Sequence, residues 1–266
     1  MEGGRDLSKP TVETLGGIYS LTWESERVSF RIDRLREDSS HEVKAEVLIQ
    51  ADLPGILPHV HQARLNLTST TARSSLVRLL TERVPDVPWD VLVEQACVMV
   101  LQRHRQGEPV VKLADVDLQK RLRYRVKPFV TDGEPSVLFG PGGVGKSTLA
   151  TYWQVLVDSG LTRNGVEVEP GQCLYLDYEA SSEEVARRER AIRAGLGIEG
   201  KGQTLYRFCV QPLASEVEEI QRIVVENGIQ FIVVDSAGPA CGGEPEAAGE
   251  ALRYFAALRA LRVTSL

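Results

Sequence analysis

The chain has 266 residues, of which 42% are hydrophobic and 26% charged, ordinary values for a globular protein long enough to form one large or two modest domains. Its 31 Lys and Arg stand against 37 Asp and Glu, a net charge of −6, which excludes a protein that coats nucleic acid indiscriminately but leaves room for a local basic surface. The sequence has no run of about 18 apolar residues and no apolar stretch behind Met1; this argues against a transmembrane helix and a signal peptide and makes the cytoplasm the expected location.

The first segments alternate apolar and polar residues with period two, over Ile18 to Trp23, Val28 to Leu35 and Val43 to Ala51. Such alternation predicts half-buried strands, with a shorter one at Ala63 to Leu67. His59 and His61 fall between Pro58 and that strand and are expected in a polar loop. A metal reading would need a third ligand that the sequence does not place nearby. Ser69 to Thr71 offers cap residues ahead of Leu76, Leu79, Leu80 and Val84, which are spaced for one helical face. Pro85 and Pro88 end that helix, and Trp89 to Arg105 predicts a second. The four cysteines, Cys97, Cys173, Cys209 and Cys241, form no C-x-x-C pair and are expected to be reduced and packed. Residues 1–110 are thus expected to be a small α+β domain of unassigned role.

Residues 111–130 are expected to be a linker ending in a basic strand. Arg121, Arg123, Arg125 and Lys127 alternate with Leu122, Tyr124 and Val126, which puts the cations on one side of a strand. Two readings stand: a contact to a nucleic-acid backbone, or a solvated edge strand kept from unwanted pairing by its charge. Up to residue 130 the chain is nearly neutral, with 19 basic and 18 acidic residues, whereas the remainder carries 12 and 19.

From residue 131 to 266 strands and helices alternate. Strands are predicted at Ser136 to Gly140, Cys173 to Tyr178, Tyr206 to Val210, Phe231 to Val234 and Val263 to Leu266. Helices are predicted at Lys146 to Gly160, Ser182 to Ala194, Glu216 to Asn227 and Ala247 to Leu261. This order predicts an α/β unit with a mainly parallel sheet covered on both faces. In such a sheet ligands bind at the carboxyl ends of the strands.

Three segments meet at that end. Gly140-Pro141-Gly142-Gly143-Val144-Gly145-Lys146-Ser147 matches G-x-x-x-x-G-K-[ST] between a predicted strand and a predicted helix. Its glycines let main-chain N–H groups turn inward on phosphates, at the positive end of the helix. Lys146 would reach the β- and γ-phosphates of ATP, the Ser147 hydroxyl would ligate Mg²⁺, and Thr148 would approach the α-phosphate. Phe231-Ile232-Val233-Val234-Asp235 delivers a carboxylate that would hold the same Mg²⁺ through water. Leu174-Tyr175-Leu176-Asp177-Tyr178-Glu179 places Glu179 where hydrolysis needs a base, with Asp177 deeper in the strand. The alternative for Glu179 is a cap on the helix that begins near Ser181 and Ser182.

In this order the three segments resemble the RecA-like ATPases, and among them the RepA-type hexameric replicative helicases of the AAA_25 group, over about Arg123 to Leu266. The resemblance implies a RecA-like P-loop NTPase core, assembly into a homo-oligomeric ring such as a hexamer, with ATP at subunit interfaces, and coupling to single-stranded DNA. It assigns Lys146 and Ser147 to Walker A, Asp235 to Walker B and the catalytic glutamate to Glu179. RepA helicases often carry a second acid after that glutamate, where this chain has Ala180. Family members continue into a sensor residue and an arginine finger, whereas this sequence stops at Val263-Thr264-Ser265-Leu266, so a C-terminal truncation is expected. The loop Gly238 to Gly249, in the place of a DNA-contacting loop, holds Glu244 and Glu246 and no cation. Arg253 and Arg259 on the next helix are either its substitutes or solvated helix positions. Two functions are therefore open: an Mg-dependent ATPase of DNA replication or recombination, or a nucleotide-dependent switch or loader that binds ATP and a protein partner with little hydrolysis.

Overall fold

The structure, a computed structural model, describes residues 9–15, 17–107, 110–116, 122–243 and 248–266. It divides into two compact units, Met1–Val116 and Asp117–Leu266. Among the described residues no helix is long and apolar enough to cross a membrane.

The N-terminal unit is an antiparallel five-stranded meander in the order β1 (Thr11–Leu15), β2 (Ile18–Trp23), β3 (Val28–Glu37), β4 (Val43–Ala51) and β5 (His59–Asn66). Alternation sends Tyr19, Leu21, Trp23, Phe30, Ile32, Val47 and Ile49 to one face, where they pack with the apolar stripes of α1 (Thr70–Arg83) and α2 (Trp89–Gln106). Trp23 meets Phe30 edge-on at 5.3 Å, and Phe30 lies 6.4 Å from Trp89. Both indoles are satisfied: Trp23 Nε1 donates to Gln95 Oε1 at 2.9 Å and Trp89 Nε1 to the Val84 carbonyl at 2.7 Å. Ser69 caps α1 by accepting from the Ala72 N–H at 3.2 Å. His59 and His61 are not in a loop. They open β5, paired with Gln50 and Ile49, because the β4 edge satisfies their main chain and Val60 between them is buried. The edge strand β1 carries no clear alternation and was not expected from the sequence.

The C-terminal unit holds a parallel sheet in the order β10 (Leu205–Phe208), β9 (Gln172–Asp177), β11 (Ile229–Asp235) and β12 (Thr264–Ser265). On one face α3 (Lys146–Ser159) and α4 (Ser182–Leu196) cover Cys173, Tyr175, Phe231 and Val233. α5 (Leu213–Asn227) also packs on β11 and against α7 (Ala248–Ala260). The expected strand at Ser136 to Gly140 does not form. It is reduced to a bridge between Pro135 and Ser265, with the Ser136 N–H donating to the Ser265 carbonyl at 2.8 Å. The neighbouring β12 offers only two residues to pair with, so Val137 and Phe139 stay exposed despite their apolar character.

A separate antiparallel sheet, β7 (Val130–Thr131), β6 (Tyr124–Lys127) and β8 (Glu167–Val168), holds Arg125 and Lys127 of the basic segment and corrects the edge-strand reading of it. β6 is central rather than an edge. Arg125 is 6% exposed; its Nη2 and Nε donate to Asp132 Oδ1 at 2.7 and 3.0 Å, and its Nη1 to the carbonyls of Pro170 and Glu169 at 3.0 and 3.3 Å. Lys127 pairs with Glu167 at 2.9 Å and Arg123 with Glu169 at 3.9 Å. Arg125 is thus held inside the sheet, whereas Arg123 and Lys127 stay exposed beside their acids, and Arg121 lies outside the described residues.

Candidate functional site

The Gly-rich loop, residues 140–145, bends where side chains would resist. Gly143 has φ +76° and Gly145 φ +88°, and Gly145 caps α3 in the left-handed conformation. A Cβ added at Gly142, Gly143 or Gly145 would meet nothing within 4 Å, so the loop borders open space at the α3 N-terminus. Pro141 and Val144 are exposed along its rim, and Gly140 packs near Val144 and Lys146. Lys146 folds back over the loop and donates from Nζ to the carbonyls of Gly140 and Pro141, both at 2.8 Å. Thr148 is exposed on the first turn of α3. An exposed glycine turn that opens a helix leaves main-chain N–H groups free to take an anion.

Strand β11 brings Asp235 against that turn. Ser147 Oγ donates to Asp235 Oδ1 at 3.0 Å across 88 residues of sequence. The other oxygen, Oδ2, accepts from the Tyr175 hydroxyl at 2.6 Å and lies 3.6 Å from Arg188 Nη1 of α4. Arg188 also donates to the Tyr175 hydroxyl at 3.3 Å and to Glu184 at 3.4 Å. Burial, and then the hydrogen bond to Asp235, raise the Tyr175 pKa, so the phenol stays a donor. A small crevice lies between the segment Ser136 to Leu138, the start of α3 and the end of β11, and Lys146, Ser147, Asp235 and Ser236 contribute to its lining.

Glu179 follows β9 and is exposed at the same end of the sheet. Its carboxylate accepts a short hydrogen bond from Ser236 Oγ, directly after Asp235. The cap of α4 is Ser181, whose side chain accepts from the Glu184 N–H at 3.3 Å. Asp177 is fully buried and accepts from the Glu179 and Ala180 N–H groups at 3.1 and 3.0 Å.

The structure thus gathers Lys146, Ser147, Asp235 and Glu179 at one end of the sheet. It adds Tyr175, Arg188 and Ser236, which sequence reasoning missed. Tyr175 reads as a core aromatic and Arg188 sits in the run Arg187-Arg188-Glu189-Arg190, where every cation looks solvated. Only the position of Ser236, next to the acid that ends β11, was a usable signal. The loop expected from Gly238 begins instead as a short helix, α6 (Ala237–Cys241), while Glu244 and Glu246 lie outside the described residues. Arg253 is paired with Glu250, and Arg259 is exposed on the last turn of α7.

No curated protein matches the chain at a significant level. The family described as AAA domain, AAA_25, matches residues 104–265, more than half of the chain. With its glycine loop opening α3 and its acid at the end of β11, the chain belongs to the AAA_25 family of P-loop NTPase domains.

Proposed function

We propose that the C-terminal unit is a magnesium-dependent ATPase. The observation that carries this reading is the Ser147–Asp235 pair, 3.0 Å apart, with Lys146 beside it and Glu179 held by Ser236 one residue further on. A hydroxyl and a carboxylate side by side are hard oxygen donors of the kind Mg²⁺ prefers, and Mg²⁺ keeps water in its remaining positions. Ser147 would hold the ion directly and Asp235 through water; when bound, the ion neutralises charge developing on the phosphates. The loop N–H groups and Lys146 bind the β- and γ-phosphates of ATP, and Thr148 borders the α-phosphate. Glu179 accepts the proton of the attacking water. Ser236 orients that carboxylate from one side, and the α4 cap at Ser181 ends the loop that carries it.

The resemblance to RepA-type helicases supports a finer reading: a homo-oligomeric ring that couples hydrolysis to single-stranded DNA in replication or recombination. One observation favours the alternative of a nucleotide-dependent switch or loader. Arg125 of β6 is buried against Asp132 rather than offered to phosphates. Steady-state ATPase assays with and without single-stranded DNA separate the two, run beside size measurements with and without nucleotide. The motor reading expects DNA to raise turnover of a nucleotide-assembled oligomer. Turnover indifferent to DNA in a monomer would leave the switch.

A further inference from the structure

Asp177 is the last residue of β9 and is 0% exposed, yet nothing in the chemistry above uses it. Burying a carboxylate is costly unless its lone pairs are satisfied. Here one oxygen, Oδ1, accepts from the main-chain N–H groups of Glu179 and Ala180 at 3.1 and 3.0 Å, and Oδ2 accepts from the Tyr206 hydroxyl of β10 at 2.9 Å. Its own carbonyl receives the Cys209 N–H at 2.8 Å, and the Tyr178 N–H donates to the Asp235 carbonyl at 2.8 Å. The strand end is therefore tied to both neighbouring strands, and the next residue to leave the sheet is Glu179. That residue is exposed and lies outside any helix or strand, so its main chain has no ladder to fix it. Its N–H is fixed by Asp177, and its carboxylate by Ser236.

We infer that Asp177, oriented by Tyr206, is a positioning residue that sets the reach of the Glu179 carboxylate toward the water it activates. The inference rests on the reading of Glu179 as the base. It explains why a buried charge stands where the fold needs only a turn: the carboxylate takes two N–H groups on one oxygen and still has a second for Tyr206. Burial, and then the bond to Asp177, push the Tyr206 pKa up to about 12, so the phenol remains a donor across the working range.

The test is steady-state ATPase of the full chain carrying Asp177→Ala, Asp177→Asn or Tyr206→Phe, each alone and combined with Glu179→Gln, together with ADP affinity. A misplaced base costs about a hundredfold in rate, so Asp177→Ala should lower kcat by about that factor while KM and ADP affinity hold. Asp177→Asn keeps an oxygen for the two N–H groups and should restore kcat to within about fivefold of wild type. In the Glu179→Gln background Asp177→Ala should cost nothing more, because a base that is already gone cannot be misplaced. A kcat unchanged by Asp177→Ala while Glu179→Gln is inactive overturns the inference and leaves the base reading standing. So does a further loss in the double variant, or a fall in ADP affinity alone. Wild-type turnover in Glu179→Gln, or no turnover in the wild type, overturns the base reading itself, and the positioning role with it. Should Asp177→Ala fail to fold, Tyr206→Phe decides: it removes one donor and is expected to lower kcat about fivefold at constant KM, and an unchanged kcat refutes the role.

Discussion

Asp235 divides its two oxygens between different neighbours, and that division sets what its replacement should do. Oδ1 meets Ser147, the proposed direct ligand of Mg²⁺, whereas Oδ2 is held by Tyr175 and Arg188. Asp235→Asn removes the charge but keeps the shape, so it should lower Mg²⁺-dependent turnover by about 10–100-fold, as loss of an outer partner of a metal does. Raising Mg²⁺ should recover part of that activity, and a Mg²⁺ titration of the rate checks it. Tyr175→Phe leaves the acid and removes one donor; its effect should be smaller and in the same direction. Lys146→Ala acts earlier: with the cation gone from the loop mouth, nucleotide binding itself should be lost in a fluorescence titration. Unchanged affinity would remove the central reading of the loop. Lys146, Ser147, Asp235 and Glu179 were legible because their spacing or strand-end position is imposed by the phosphate loop and sheet. Tyr175 and Arg188 were not, because what selects them is adjacency across β9, β11 and α4, and a linear sequence hides it among core aromatics and helix charges.

At the level of elements, alternation identified β2, β3 and β4, and the strand–helix order identified the parallel sheet, because each rests on burial of one face. The failures share one cause: pairing partners decide strands whose own residues do not. Ser136 to Gly140 is apolar but finds only the two residues of β12 beside it, whereas His59 and His61 are polar and find a full β4 edge. The basic alternation was read correctly as a strand over Arg125 and Lys127, and of its two readings the solvated edge is the one overturned, since β8 arrives from 40 residues downstream. That strand supplies a stability prediction. Arg125 is nearly buried, with its partner Asp132 beside it, and breaking a buried pair from one side strands the remaining charge. Arg125→Met should cost about 3–5 kcal/mol in urea unfolding. The double replacement with Asp132→Leu should recover much of it, although Thr264, which donates to Asp132 Oδ1 at 3.0 Å, then loses an acceptor. In the N-terminal unit, Ser69→Ala removes the α1 cap and should cost about 1 kcal/mol without touching nucleotide binding.

Across the whole chain the groups that burial perturbs are mostly weak acids kept neutral, and they are unevenly divided between the two units. The N-terminal unit has Cys97, pushed up to about 12 by desolvation, and Tyr19, also raised by burial. The C-terminal unit has Cys173, Cys209, Cys241, Tyr175, Tyr178, Tyr206 and Tyr254, each raised first by burial. The sign follows from linkage. Each group holds its proton longer folded than unfolded, so above the ordinary values of 9.0 for a thiol and 10.0 for a phenol the unfolded chain releases protons that the folded chain keeps. Stability from these groups is fully present below pH 9.0 and is lost as the pH rises from there toward about 12. Among the described residues the C-terminal unit has seven such groups against two, and it should lose more of it. Proteolysis during urea titration at about pH 8 and about pH 10.5, with fragments assigned by mass, reads both units in one molecule. The cleavage midpoint of the C-terminal unit should shift further toward low urea than that of the N-terminal unit. Equal shifts would mean that the buried thiols and phenols titrate in the folded chain as they do in the unfolded one. The same burial predicts that all four cysteines resist alkylation in the native protein near neutral pH and react once urea opens the unit that holds them.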